Sequence, residues 1–237
     1  MTDGRRLVQV QQAIVHCTRC PRLRSYCEAV GQTKKAAYRD EPYWSKPVPG
    51  FGDPKARVMI LGLAPAAHGA NRTGRVFTGD GRGGSGNFLM AALHRAGFAN
   101  QPTSERAGDG LVLTGVYVAA AVRCAPPQNK PTPGEIDACL DHLVAEVKAL
   151  PRLEAVVALG HIAWAAWLRL LAREGTDLPR PRPSFAHGAV YSSTRGTLGT
   201  LGTLGTRLLV GCYHPSRQNT NTGRVTASMY DDVFRRI

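Results

Sequence analysis

The sequence is short of acidic residues and has no long hydrophobic run. Only 17 Asp and Glu stand against 30 Lys and Arg, which gives a formal net charge of +13. No segment approaches the roughly 18 to 20 uninterrupted apolar residues of a membrane-spanning helix, and the N-terminal residues lack the apolar core of a signal peptide. We therefore expect a cytoplasmic protein without membrane contact. The excess of positive charge suits a polyanion, of which nucleic acid is the commonest.

Cysteine is also scarce, and a reducing cytosol disfavours disulfides among the six that are present. Cys17 and Cys20 form a Cys-x2-Cys pair, and Cys124 and Cys139 form a second pair with fourteen residues between them. Four thiolates can hold either zinc or an iron–sulfur cluster, and the spacing alone does not distinguish the two. The two remaining cysteines are expected to be small buried apolar side chains: Cys27 and Cys212.

The order of apolar segments predicts an α/β fold. Four short runs have the composition of strands: 57–63, 111–122, 154–159 and 207–212. Helical patterns precede or follow them at 8–15, 85–96 with Ser85 as N-cap, 132 onwards, 161 to about 173, and 226–237. This alternation indicates a three-layer α/β/α sandwich with a central, mainly parallel, four-stranded sheet, in a single domain over residues 1–237.

Some local signals are sharper than this overall pattern. Thr132 to Glu135 reads as a capping box with Pro133 at the first helical position, which is a specific helix start. Residues 31–56 carry no periodicity and predict a long loop, so residues 1–56 are assigned to an N-terminal cysteine-containing segment and loop. Residues 174–206 predict an irregular insertion that includes a Thr-Leu-Gly repeat at 197–206.

Three of the four predicted strands end in polar loops, which a parallel sheet would bring to one edge. These loops carry Asp80 as a carboxylate, Phe77 as a flat apolar face, Asn129 as a two-way hydrogen-bonding amide, and His214 followed by proline. An aromatic face beside an amide suits a nucleobase, which needs stacking and paired hydrogen bonds at its edge. We take the loop after the first strand as the centre of the site and expect His161, after the third strand, to be structural.

Three longer motifs carry a resemblance: GLAPAAHGANRTGRVFTGD, AAVRCAPPQNKPTP and YHPSRQNTNTG. With the four paired cysteines, they resemble the uracil-DNA glycosylase superfamily, and in particular its family 5, the type b enzymes with an iron–sulfur cluster. The resemblance covers nearly the whole chain except residues 174–206. It implies removal of uracil from DNA by cleavage of the N-glycosidic bond, and acceptance of other deaminated bases such as hypoxanthine.

The resemblance also assigns roles to single residues. It implies that Phe77 stacks on the flipped base, that Asp80 orients water, and that His214 lies beside the leaving base. Asn129 would be an amide of the base pocket, with backbone amides of Gly62 to Ala64 assisting. The cysteine positions that match the ligands of a [4Fe–4S] cluster are Cys17, Cys20, Cys124 and Cys139. The expected DNA contacts follow the last strand: Ser216, Arg217, Gln218 and Asn219.

Two departures from the wider superfamily bear on specificity. The first motif reads Leu63-Ala64-Pro65-Ala66-Ala67, without the polar water activator that many relatives have there. Ala120 stands where type a relatives have an asparagine, and a pocket without that amide should reject misfit bases less strictly.

We expect a monomer that acts on DNA containing uracil or another deaminated base. The alternative hypothesis is a non-catalytic, metal-containing nucleic-acid-binding module.

Overall fold

A computed structural model describes residues 3–81, 83–193 and 207–237 of the chain. The predicted Thr-Leu-Gly repeat at 197–206 lies outside the described residues. None of the helices in the described ranges is long and apolar enough to cross a membrane.

Helices and strands alternate along most of the chain. The α-helices in the described ranges are α1 (Asp3–Val15), α2 (Pro21–Thr33), α3 (Ala70–Thr73), α4 (Ser85–Arg95), α5 (Pro133–Lys148), α6 (His161–Arg173), α7 (Arg217–Asn221) and α8 (Ala227–Phe234). The strands there are β1 (Phe51–Gly52), β2 (Val58–Gly62), β3 (Val116–Ala120), β4 (Ala155–Leu159), β5 (Val190–Ser193) and β6 (Arg207–Cys212). Short 3-10 turns occupy Ala36–Tyr38 and Pro127–Asn129.

The sheet has the order β1-β3-β2-β4-β6-β5 in the described part of the chain. The four predicted strands form its parallel centre: Val58 of β2 pairs with Val116 of β3 and with Ala155 of β4, and Ala155 pairs with Leu208 of β6. The predicted α/β/α class is confirmed, but the count of four strands is wrong. Two short antiparallel strands, β1 and β5, cover the two edges.

Helices cover both faces of this sheet. On one face, Val58 and Ile60 pack in a core that includes residues of α4 and α8. On the other face, Met59 and Leu61 pack against residues of α1, α5 and α6. All five residues of β2 are buried, as are all five of β3 and of β4. A strand buried on both faces reads as a continuous apolar run, which is why these strands are visible in the sequence.

Helix α2 contradicts the sequence prediction, which left this region without a helix and began a loop at residue 31. Pro21 occupies the first turn, and Leu23, Cys27 and Val30 form one buried stripe at helical spacing. This stripe packs in a third apolar cluster with Val122, Cys124, Ala125 and Cys139. The N-terminal segment is therefore attached to the end of β3 and to α5.

Other boundaries differ in smaller ways. The capping box is confirmed, because Thr132 Oγ1 accepts from the Glu135 amide and the Glu135 carboxylate accepts from the Thr132 amide. Ser85 is the first residue of α4 and not its N-cap, which is Gly84. The predicted strand over residues 111–122 is shorter, because Leu113 pairs with Ala99 in an isolated antiparallel bridge outside the sheet. The predicted insertion contains β5, whose pairing with β6 no local pattern reveals.

Candidate functional site

A cavity of about 440 Å³ lies beyond the carboxyl ends of β2, β3 and β6. It brings together all four side chains that the sequence singled out, each from a different position in the loops that follow these strands. Its wall includes Phe77, Asp80, Asn129, His214, Ala64 and Ala120. The predicted convergence of the three loops is thus what the fold produces.

Phe77 forms one wall of the cavity and has a strained backbone. Its φ of 51° lies in the left-handed region, which non-glycine residues seldom adopt and which is often found at functional sites. Its ring lies directly over Gly62, where a Cβ atom would come within 2.8 Å of the ring. The Phe77 and His214 rings are 6.0 Å apart between centroids and tilted by 32°. Gly62 therefore supports the aromatic face from below.

Asp80 presents its carboxylate to the same cavity. Burial raises the pKa of this carboxyl, while the Gly86 amide and the charges of Arg217 and Arg72 act in the opposite direction. The carboxylate lies so close to Gly69 that a Cβ there would be 2.1 Å from Asp80 Oδ1. A poorly hydrated carboxylate of this kind is well suited to hold a water molecule or to face a positive charge.

His214 stands across the cavity in its neutral form. Burial lowers the pKa of its imidazole to about 4, so it is uncharged at neutral pH. Its backbone carbonyl accepts a hydrogen bond from Asn219 Nδ2 at 2.8 Å. Ser216, which lines the cavity, caps α7 by accepting from the Asn219 amide at 3.3 Å. The turn that carries His214 is therefore fixed by its own neighbours.

The remaining predicted site residues lie around the cavity mouth. Arg217 is exposed, and its Nη2 donates to the Asp80 carbonyl at 2.7 Å, which joins the β6 loop to the β2 loop. Gln218 is exposed on α7. The Asn129 side chain is exposed at the mouth and makes no hydrogen bond to any residue in the described ranges. Their contacts with DNA stay a prediction.

Most polar side chains of the β2 loop hold the loop itself. Buried Arg72 donates to the carbonyls of His68 and Gly79, and it pairs with Glu41. Arg75 pairs with Asp109 at 2.7 Å. Against the effect of burial, Arg75 and three backbone amides lower the pKa of Asp109 to about 2. These residues gave no sequence signal of their bracing role, because their partners are distant in the chain.

A second cavity of about 320 Å³ adjoins the first and shares Asp80, Asn129 and Arg217 with it. Lys35, Tyr38 and His68 contribute to its wall. The sequence analysis did not identify this cavity, because its lining comes partly from the 31–56 segment, which has no periodicity.

The aromatic residues in that segment act chiefly as anchors. Tyr43 Oη bonds to His68 Nδ1 at 3.0 Å, and Trp44 Nε1 donates to the Pro47 carbonyl at 3.1 Å. Phe51 is half-buried in β1, and the Arg75 guanidinium lies over its ring.

The four paired cysteines lie apart from the cavity, around α2 and α5. Cys20, Cys124 and Cys139 pack in the third apolar cluster. Burial raises the pKa of Cys20 to about 11, and the nearby thiolates of Cys139, Cys124 and Cys17 add to this shift. Among residues 3–81, 83–193 and 207–237, no group of three or more His, Cys, Asp and Glu side chains is arranged to hold a single metal ion. The two other cysteines are fully buried, as predicted: Cys27 and Cys212.

Comparison with known proteins gives consistent matches. Residues 49–237 match the family model described as the uracil DNA glycosylase superfamily. A "Type-5 uracil-DNA glycosylase" of Mycobacterium bovis is 50% identical over 230 residues, which cover 97% of this chain and 80% of the relative. Proteins of the same name are 50% identical in Thermus thermophilus, over 94% of this chain and 93% of the relative, and 43% identical in Pyrobaculum aerophilum, over 94% and 88%.

Proposed function

Because the chain belongs to the uracil DNA glycosylase superfamily, we propose that it removes uracil from DNA by hydrolysing the N-glycosidic bond, which leaves an abasic site. The observation that carries the proposal is the single cavity that Phe77, Asp80, Asn129 and His214 share. Its volume of about 440 Å³ falls within the usual range for small-molecule sites. An enzyme that acts on a base must first rotate it out of the stack, and such a cavity can receive it.

The chemistry requires stabilisation of separating charges. As the glycosidic bond stretches, the sugar becomes positive and the departing base becomes negative, and only groups that stabilise this separation accelerate the step. Neutral His214 donates a hydrogen bond from a ring N–H to the departing base and keeps its proton. Asp80 orients the attacking water and offsets the positive charge on the sugar. Phe77 stacks on the base, and the Asn129 amide bonds to its edge.

The direct test is single-turnover release of free uracil from an oligonucleotide that contains one uracil. Asp80→Ala should lower the rate on the order of a hundredfold or more, as expected for one positioned catalytic group. The reaction should proceed in EDTA. Tight binding of the oligonucleotide without release of free base would contradict the proposal and indicate a binding module.

We further propose a base specificity that extends to hypoxanthine. Ala120, at the end of β3, gives the cavity wall a methyl group where an amide would impose a hydrogen-bonding pattern. The adjoining 320 Å³ cavity leaves additional space beside Asp80 and Asn129 for a larger base.

Rates on matched duplexes with uracil or hypoxanthine test this specificity. Ala120→Asn should lower the ratio of the hypoxanthine rate to the uracil rate. Strict dependence of the unaltered protein on uracil would exclude the broader specificity.

We also propose that Cys17, Cys20, Cys124 and Cys139 hold a [4Fe–4S] cluster. The support is the donor set: four thiols from three separate parts of the chain that interact electrostatically and are largely enclosed by α2 and α5. Such a cluster would tie the N-terminal segment to the end of β3 and to α5. Determination of iron and sulfide on protein purified without oxygen tests this; absence of both would refute it.

A further inference from the structure

Around the four paired cysteines, two arginine side chains have buried N–H groups with no partner in the described part of the chain: Nη1 of Arg24, and Nε and Nη1 of Arg123. A buried donor without an acceptor is costly, and more so when the group is charged. Native structures contain few such groups, and each calls for an explanation. Both arginines lie next to cysteines of the set.

Arg24 faces Cys124. It lies on α2, where its Nη2 donates to Glu28 Oε1 and to the Ser45 carbonyl, both at 2.9 Å. These two bonds occupy one end of the guanidinium and leave Nη1 free of them. The hydrogen bond with Cys27 and burial raise the pKa of the Cys124 thiol, and the Arg24 charge acts in the opposite direction. Nη1 is therefore the buried, unmet end of a guanidinium whose charge acts on Cys124.

Arg123 approaches the set from β3. Its side chain is 1% exposed, and its Nη2 donates to Glu146 Oε2 at 2.6 Å. Burial raises the pKa of the Cys139 thiol, and the Arg123 backbone amide and the Arg123 charge act in the opposite direction. Glu146 is itself fully buried and also accepts from Tyr117 and from the Gly50 amide. One carboxylate thus meets only part of the hydrogen-bonding capacity of this guanidinium.

We propose that Arg24 and Arg123 are the outer hydrogen-bond donors of the cysteine-bound cluster, Arg24 to the sulfurs around Cys124 and Arg123 to those around Cys139. The inference rests on the [4Fe–4S] cluster proposed above. Four thiolates supply negative charge and sulfur lone pairs, and two guanidinium groups supply positive charge and the N–H groups that the described residues leave unmet. Hydrogen bonds to the sulfurs and local charge help set the reduction potential of such a cluster.

The physical consequence has a definite sign. A reduced cluster carries one more negative charge than an oxidised one, so donors and positive charge stabilise the reduced form more strongly. Loss of either guanidinium should therefore make the reduction potential more negative. It should also weaken retention of iron, because the thiolates would repel each other with less compensation.

The test compares anaerobically purified, iron-loaded proteins by spectroelectrochemistry and by the rate of iron loss to a chelator. Arg24→Gln should change the relative stability of the two oxidation states about tenfold, which is about 59 mV for one electron, toward more negative potential. Iron loss should be about tenfold faster. Arg24→Lys keeps the charge but not the forked geometry and should show a smaller change. Arg123→Lys should also shift the potential to more negative values.

Two controls separate this effect from a general loss of structure. Glu28→Gln breaks the Arg24–Glu28 ion pair and removes a negative charge while it leaves the Arg24 guanidinium in place, so its potential should not become more negative. Arg39→Gln removes one exposed charge, from a side chain that donates to the Ala36 carbonyl at 3.4 Å, and should have no effect.

The outcomes are distinguishable from failure of the cluster proposal. If the unaltered protein binds no iron, the cluster proposal itself is wrong, and uracil release is judged by its own assay. If it binds iron but Arg24→Gln leaves both potential and iron loss unchanged, the outer-donor inference is wrong. It is also wrong if Glu28→Gln reproduces the Arg24→Gln shift, because the ion pair would then account for it.

Discussion

The base-sized cavity and the cysteine set are held together by different contacts, although the segment between Cys124 and Cys139 contributes to both. The cavity is made by loop tips that hydrogen bonds hold, some from near neighbours, as when Asn219 donates to the His214 carbonyl, and some between loops, as when Arg217 donates to the Asp80 carbonyl. The cysteine set joins parts of the chain more than a hundred residues apart, from Cys20 to Cys124. Between Cys124 and Cys139 the chain passes through Asn129 at the cavity mouth.

Their electrostatics differ as well. In the cavity, burial keeps His214 neutral by lowering its pKa to about 4, whereas burial raises the pKa of Asp80, and the Gly86 amide and the charges of Arg217 and Arg72 oppose this and favour the carboxylate. At the cysteines, burial and mutual repulsion of thiolates disfavour the charged form, while buried guanidinium donors stay unmet within the described residues. The proposed base would enter the cavity only for the reaction, whereas the proposed cluster would stay bound at the cysteine set. Variants that alter one region and not the other should separate the two.

The largest effect should come from His214→Ala, which removes a donor in the cavity and nothing at the cysteines. We expect the rate of uracil release to fall on the order of a hundredfold or more, with unchanged iron content. Single-turnover kinetics and iron determination on one preparation check this. His161 is exposed at the start of α6, and the control variant His161→Ala should leave the rate unchanged. Loss of iron in His214→Ala would show that the two regions are not separable.

Gly69→Ala should have the next largest effect, although it adds a single methyl group. Its Cβ would lie 2.1 Å from Asp80 Oδ1, so the carboxylate must move. We expect a rate loss on the order of tenfold, because small displacements of a catalytic group are costly. Gly4→Ala meets nothing within 4 Å and is the matched control. A normal rate for Gly69→Ala would mean that the position of Asp80 does not matter.

Cys20→Ser alters the cysteine set and leaves the cavity unchanged. If the cysteine set is structural, the variant should lose iron and melt several degrees lower, whereas the folded fraction should keep its rate to within about tenfold. Thermal melting and uracil release at a temperature below the transition measure the two effects separately. Cys212→Ala, in the core that includes residues of α4 and α8, should keep its iron. A Cys20→Ser protein with full iron content would remove Cys20 from the ligand set.

The smallest effect should be the pH dependence near neutrality. Burial raises the pKa of Asp80 above its ordinary value of 3.8, so this carboxylate becomes protonated at a higher pH than an exposed one. The rate should therefore fall as the pH drops through that raised pKa. His214, with a pKa of about 4, stays neutral above that range. Rates at pH 7 and pH 8 should differ less than about twofold. Asp80→Asn should abolish the acid limb, and His214→Asn should retain it; the reverse would exchange their roles.

The sequence predicted the parts of the molecule whose signals are local and left out those that depend on distant partners. Fully buried parallel strands and the capping box at Thr132 are continuous patterns, so they were found. The two-residue strand β1 is too short to have a period, and β5 exists only through its register with β6. Helix α2 did carry a signal, because Leu23, Cys27 and Val30 lie at helical spacing, but the adjacent paired cysteines and Gly31 obscured it.

The same distinction holds within the site. Phe77, Asp80, Asn129 and His214 were identified because each follows a strand or belongs to a long motif. The ion pair of Arg75 with Asp109 and the proximity of the Arg24 charge to Cys124 were not identified, because these residues are far apart in the sequence.

The position of β6 has a consequence for biosynthesis. This strand lies between β4 and β5, and it delivers His214 to a cavity whose other walls come from residues 63–85, 120 and 129. A nascent chain on the ribosome thus cannot complete the cavity until β6 and the loop that follows it have emerged. Prematurely terminated chains that lack β6 would consequently lack His214 and could not remove bases from DNA.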